Sequence, residues 1–201
     1  MTTISATMVK QLREKSGAGM MDCKQALVEC YADLDKAVDF LRKKGLATAQ
    51  KRSVRAMTEG TIQSYIHMCG KLGVLVEVNS DTYFVAKNDD FVQFARNIAM
   101  HIAATNPLGV RAEDVPEETV QRERDIYQAQ ALETGKPENV ITKIVDGKMN
   151  KFFKENCLLN QAYVRDPELA VEDVLNELIA KIGENITIKR FVRFQTGEAA
   201  E

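Results

Sequence analysis

The sequence predicts an α+β fold: an N-terminal three-helix bundle, then a core of small antiparallel sheet with packed helices. Three observations predict it. Residues 5–44 hold three short runs of helical apolar spacing, separated by glycine and aspartate. Residues 61–79 switch to period-two alternation across a Cys69-Gly70-Lys71 turn. Beyond Asn88, helical stripes return before a last alternating run, so helices and strands share one core.

Ser5 is placed to cap a first helix in which Val9 and Leu12 share a face, and Gly17 sits where a left-handed cap would end it. A second helix over about 21–30 carries Asp22 in its first turn and sets Cys23, Ala26, Leu27 and Cys30 on one face. Asp33 caps a third helix striped by Leu34, Ala37, Val38 and Leu41, which Gly45 is expected to stop. Residues 46–58 are polar and basic without a core-forming stripe and read as a linker helix.

In the hairpin, Ile62, Ser64, Ile66 and Met68 alternate with Thr61, Gln63, Tyr65 and His67, and Val74, Val76 and Val78 line one face of the return strand. A helix bearing Phe91, Phe94, Ala95, Ile98, Ala99 and Ile102 must pack on it. Residues 117–134 form a charged helix with only Val120, Tyr127 and Ala131 on a shared face. Pro137 opens the next, striped by Ile141, Ile144, Val145 and Phe152, so the two suit an antiparallel pair. Leu158 to Val164 is expected to be extended. Val171, Val174, Leu175, Leu178, Ile179 and Ile182 build another helix closed by Gly183, and Ile186, Ile188, Val192 and Phe194 alternate in a final strand.

With 45% apolar and 28% charged residues, the chain can bury a core and remain in solution, which argues against a disordered or fibrous polypeptide. Its 27 Lys and Arg nearly cancel 29 Asp and Glu, so no global field draws it to nucleic acid or an anionic bilayer, and neither is expected as a direct partner. The basic runs Arg42-Lys43-Lys44 and Lys51-Arg52 read as solvated helix faces. No run approaches the about 18 consecutive apolar residues of a membrane span, and the start MTTISATMVKQLREKSG lacks a signal-peptide core, which predicts a cytoplasmic chain.

Enzyme chemistry finds little support. Cys23, Cys30, Cys69 and Cys157 form no CxxC pair and His67 and His101 are the only histidines, so no metal site is expected. Cys23 and Cys30 read as buried small hydrophobes. Neither histidine has a recognisable nucleophile and orienting carboxylate, and there is no GxSxG elbow or Walker loop, hence no catalytic residue and no cofactor. Gly17-Ala18-Gly19 precedes a helix, but without a preceding strand or third glycine it reads as an interhelical turn, not a phosphate cradle.

The most informative segment is Asp81 to Asn88, which joins a strand to a helix and holds Tyr83 and Phe84 side by side. A loop there would force at least one ring outward as a partner anchor, whereas the plainer reading has both rings capping the core. Periodicity does not choose between them.

The stretch from Val9 to Leu27, VKQLREKSGAGMMDCKQAL, resembles the opening helices of bacterial translation elongation factor Ts. Glu59-Gly60, the strand Val74 to Asn79, the loop Thr82 to Lys87 and the closing Arg190-Phe191-Val192-Arg193-Phe194 resemble the same family in the same order, so the resemblance spans essentially the whole chain. It implies a guanine-nucleotide exchange factor of the short form, not an enzyme: a protein that binds elongation factor Tu, with GDP or without nucleotide, and promotes GDP release in translation elongation. Under it, residues 1–45 are a ubiquitin-associated-like module that docks on the GTPase domain of Tu. Residues 46–58 are a linker helix, and residues 59–201 a core for dimerisation and Tu binding with a helical excursion over about 117–155.

Family members insert the Phe of a Thr-Asp-Phe loop between helices of the GTPase and disturb its magnesium and phosphate-binding elements. The matching position is Phe84, flanked by matching Thr82 and Val85. Tyr83 stands where the family motif usually has aspartate, so a role carried by that carboxylate does not transfer. Further partner contacts fall to Val9, Leu12 and Arg13, to Met20 and Met21, and to the segment near Arg190 and Arg193. Short members pair, which implies a homodimer, in the cytoplasm or an organelle of bacterial descent. The alternative is a partner-binding scaffold without exchange activity.

Overall fold

The computed structural model describes residues 4–52, 57 and 59–198 of the chain. They form two compact units. The first comprises the residues up to Thr61 with Val78–Phe94 and Asp173–Thr187; the second comprises Ile62–Glu77, Ala95–Glu172 and the residues from Ile188 on.

In the first unit, α1 (Ala6–Ser16) starts as its cap predicts, the Ser5 hydroxyl accepting from the Met8 N–H at 3.2 Å, and ends on left-handed Gly17. It is followed by α2 (Met20–Glu29) and α3 (Leu34–Arg52), whose first turn is capped by Asp33 accepting from the Lys36 N–H at 3.1 Å. Val9, Leu12, Cys23, Ala26, Leu27, Ala37 and Leu41 make the module's core. Gly45 does not stop α3. One interior glycine costs a helix only about 1 kcal/mol relative to alanine, and Leu46, Ala47, Ala49 and Gln50 favour continuation. The end of the expected linker, residues 53–56 and 58, lies outside the described residues.

The turn from α2 to α3 carries Tyr31 and Ala32 at φ +53° and +66°, a region that disfavours any Cβ. Replacing Ala32 with glycine is therefore expected to stabilise the protein by about 0.5–1 kcal/mol, read as a raised urea midpoint with unchanged slope.

The sheet holds β1 (Glu59–Ile66), β2 (Leu72–Ser80) and, after the two short strands β3 (Ala162–Tyr163) and β4 (Asp166–Ala170), β5 (Ile186–Gln195), in the order β1-β2-β5. The His67 N–H donates to the Leu72 carbonyl at 2.9 Å beside the hairpin turn, and the Thr196 N–H to the Lys71 carbonyl at 2.8 Å, so the end of β5 meets the start of β2, antiparallel. Gly60 is required by close approach: a Cβ there would run into the Val78 carbonyl oxygen. Val74, Val76 and Val78 are buried as the alternation predicts.

β5 departs from expectation. Ile186 and Ile188 are buried, but Lys189 and Arg190 are both exposed, and beyond them the covered positions become Phe191 and Arg193, leaving Val192 and Phe194 in solvent. The two successive exposed cations shift the covered set by one residue, and such a shift exchanges the faces.

α4 (Tyr83–Ala86) is a single turn between β2 and α5 (Asp89–Thr105), on which Phe91, Phe94, Ala95, Ile98, Ala99 and Ile102 are all buried. In the second unit, α6 (Glu117–Leu132) and α7 (Glu138–Asn156) pair as expected around Ala131, Val145, Met149 and Phe152. Leu158–Asn160 is a 3₁₀ turn where extended chain was expected. The later part of the stretch to Val164 is extended as expected, as β3, which pairs Ala162 with Ala170 and Tyr163 with Asp166 of β4; β4 itself had no sequence signal because Asp-Pro-Glu-Leu-Ala is poor in strand formers. α8 (Val171–Ile182) precedes β5.

Candidate partner-binding site

The segment between β2 and α5 is built to turn two rings outward. β2 ends at fully buried Ser80, whose hydroxyl donates to the Thr82 carbonyl at 3.1 Å. Thr82 is extended, and α4 then closes one turn through Lys87 N–H to Phe84 carbonyl (3.3 Å) and Asn88 N–H to Val85 carbonyl (2.9 Å). Asn88 at once caps α5, its side-chain oxygen accepting from the Asp90 N–H at 2.9 Å. With successive residues about 100° apart, one turn can bury only part of its circumference. Val85 points inward and is buried, while Phe84 is 85% exposed and Tyr83 54% exposed.

The two rings meet edge to face at a centroid separation of 6.5 Å, and the Lys87 ammonium lies 4.4 Å over the Tyr83 ring. Tyr83 is thus held by its neighbours, and Phe84 is left as a bare apolar anchor. Burying such a ring in a partner groove is worth about 1.5–3 kcal/mol.

Half-buried Thr82 donates its hydroxyl to Glu184 Oε2 at 2.8 Å. The other residues singled out in the sequence are placed as follows. Arg13, Met20 and Met21 are exposed on the three-helix module, whereas Val9 and Leu12 belong to the core of that module, Leu12 fully buried and Val9 nearly so. Arg42 pairs with Glu177 at 3.5 Å and Lys44 with Asp22 at 2.8 Å, so this basic run is engaged within the chain. Arg190 pairs with Glu77 at 2.7 Å, and Arg193 with Glu198 at 2.9 Å.

Neither histidine is set up as a base. His67 is exposed, its Nδ1 3.0 Å from the Tyr65 hydroxyl. His101 is fully buried: Nδ1 accepts from the Val164 N–H at 3.2 Å, which leaves Nε2 to donate to Gln161 Oε1 at 2.9 Å. Burial pushes its pKa below the usual 6.5, against the opposing pull of the Gln161 hydrogen bond. Cys23 and Cys157 are buried, Cys30 is half-buried and Cys69 is exposed. Among the described residues no cluster of His, Cys, Asp and Glu could hold a metal ion, and no helix is long and apolar enough to cross a membrane.

A second exposed apolar surface lies in the second unit. Ile62 and Ile66 of β1, Leu75 of β2 and Val192 and Phe194 of β5 are all exposed, Phe194 by 67%. A groove lined by Ile66, Gly73, Leu75 and Phe194 joins the three strands on one face. The more apolar set of the β1 alternation is the one facing solvent, a distribution associated with protein interfaces.

Residues 47–198 match the family model described as Elongation factor TS. The chain is 64% identical over 198 residues to the elongation factor Ts of Desulfosudis oleivorans, covering 98% of this chain and 100% of that protein. It is 57% identical to the elongation factor Ts of Thermoanaerobacter sp. strain X514, covering 98% of this chain and 97% of that one. Against its counterpart in Geobacter sulfurreducens it is 56% identical, covering 99% and 92%.

Proposed function

Because the chain belongs to the elongation factor Ts family of translation proteins, we propose that it is a guanine-nucleotide exchange factor for elongation factor Tu. It binds Tu with GDP or without nucleotide in the cytoplasm, speeds GDP release and performs no chemical step. The observation that carries the mechanism is the exposure of Phe84 on a one-turn helix. Phe84 enters the GTPase as a wedge and disturbs the elements that hold magnesium and phosphate, with Tyr83 packed beside it.

Residues 1–45 serve as a docking module, joined by the linker 46–58 to the core 59–201. Arg13, Met20 and Met21 touch Tu directly, whereas Val9 and Leu12 act by holding the module's shape and Val85 by anchoring the turn. Linkage demands that a factor which weakens GDP binding is itself bound more weakly when GDP is present, by the same factor. Calorimetric titration into Tu is expected to give a much tighter complex without nucleotide than with saturating GDP. Equal affinities would leave only a partner-binding scaffold, the outcome that Tyr83 in place of aspartate favours.

The exposed sheet face suits a second copy of the chain, giving a homodimer. Replacing Phe194 with glutamate sets a charge in that face and is expected to convert a sedimenting dimer into a monomer with little change in helical content. A variant that sediments like the parent chain would remove the face from the dimer contact.

A further inference from the structure

Resting on the exchange reading above, we infer that Glu184 and Asp81 are positioning residues, fastening the Phe84 turn to the α8–β5 corner so that the ring is presented in one orientation. Neither touches a partner in this account. Both act through the backbone that carries Phe84.

Phe84 has almost no contact of its own to fix it, and a single helical turn is not stable by itself. The orientation of the ring must therefore be imposed from the ends of the segment. At its start, the Thr82 hydroxyl donates to Glu184 Oε2 at 2.8 Å, and Asp81 Oδ2 accepts from the Asn185 N–H at 3.2 Å. At its far end, Asp90 in the first turn of α5 pairs with Lys181 in the last turn of α8 at 2.8 Å.

All three ties converge on Lys181 to Asn185. This corner is shaped by Gly183 at φ +83°, which closes α8 through its N–H to the Ile179 carbonyl at 2.8 Å. The Lys181 pair is half exposed and contributes little. The two hydrogen bonds to carboxylates at Asp81 and Thr82 are partly buried and charge-assisted, and carry most of the restraint.

The arrangement also separates the two tasks within the motif. Val85 anchors the turn from below, Thr82 fixes its azimuth through Glu184, and the Phe84 ring, touching only the edge-to-face ring of its neighbour Tyr83, stays open to a partner. A preorganised anchor loses less conformational entropy on binding than a floppy one.

The test uses the full chain with Thr82→Val, Glu184→Ala, the double substitution, and Thr82→Ser as the rescuing variant. Hydrogen exchange of the Lys87 and Asn88 amides in the free protein reports the turn directly, whether or not the chain exchanges nucleotide. Release of fluorescent GDP from Tu reports its use. Loss of one such bond is expected to raise amide exchange and to lower exchange activity by about tenfold, with the double variant no worse than either single one and Thr82→Ser close to the parent chain. Unchanged amide exchange in Thr82→Val and Glu184→Ala, or a Thr82→Ser variant as impaired as Thr82→Val, would overturn the positioning role. A parent chain that fails to accelerate GDP release would instead sink the exchange reading, and the amide measurement would still decide the positioning role.

Discussion

Replacing Phe84 with alanine is expected to slow protein-stimulated GDP release from elongation factor Tu by about 10- to 150-fold, the factor equivalent to the about 1.5–3 kcal/mol of burying a phenylalanine. The ring is exposed in the free protein and the turn is held by Val85 and by the ties of Thr82 and Asp81, not by the ring, so the substitution removes apolar surface without opening a cavity. Stability is expected to stay within about 0.5 kcal/mol of the parent chain. Activity and stability therefore separate at this position. Complex formation should persist through the three-helix module, so a pull-down that retains Tu together with a slow release trace is the expected pair of results. Parental exchange rates in the variant would refute the wedge.

The opposite pattern is expected at His101. Its two ring nitrogens are both engaged, and Gln161 Oε1 also accepts the Thr105 hydroxyl at 2.9 Å while its amide donates to the Glu155 carbonyl at 2.7 Å. Truncation to alanine strips the Val164 N–H of its acceptor, takes one donor from Gln161 and leaves a cavity against Tyr163, whose ring stacks on the imidazole at 6.0 Å. The expected cost is about 3 kcal/mol, or a melting temperature lower by about 6–12 °C.

A pH signature distinguishes this network from simple packing. Burial holds the folded-state pKa of His101 below the 6.5 of an exposed histidine, so the unfolded chain takes up the proton first. The contribution of neutral His101 to stability is fully present above pH 6.5 and is lost as the pH falls from there through the depressed pKa. Denaturation midpoints of the parent chain should decline across that window more steeply than those of His101→Ala. Parallel pH profiles would show that the histidine does not titrate with folding.

What the sequence reveals of this fold follows from how local each determinant is. Ser5 and Asp33 cap helices through contacts three residues away, and the stripe from Phe91 to Ile102 lies on one helix, so spacing alone announces them. The same reasoning failed at Gly45, where neighbouring helix formers outweigh a single weak residue, and at Lys189-Arg190, where two exposed cations shift which residues of β5 are covered.

The outward turn of Tyr83 and Phe84 was not legible, because a four-residue helix is too short for a periodic pattern. Nor was Glu184, whose partner Thr82 is 102 positions away; only the folded chain brings them together. The resemblance pointed to Phe84 but also to Val9 and Leu12, which the fold places inside the module.

The most direct test is the release rate of fluorescent GDP from elongation factor Tu at fixed magnesium, followed by stopped flow with and without this protein. An acceleration on the order of 1000-fold, equivalent to about 4 kcal/mol off the barrier, is the result predicted for an exchange factor. Formation of a stable complex with an unaltered release rate would contradict it.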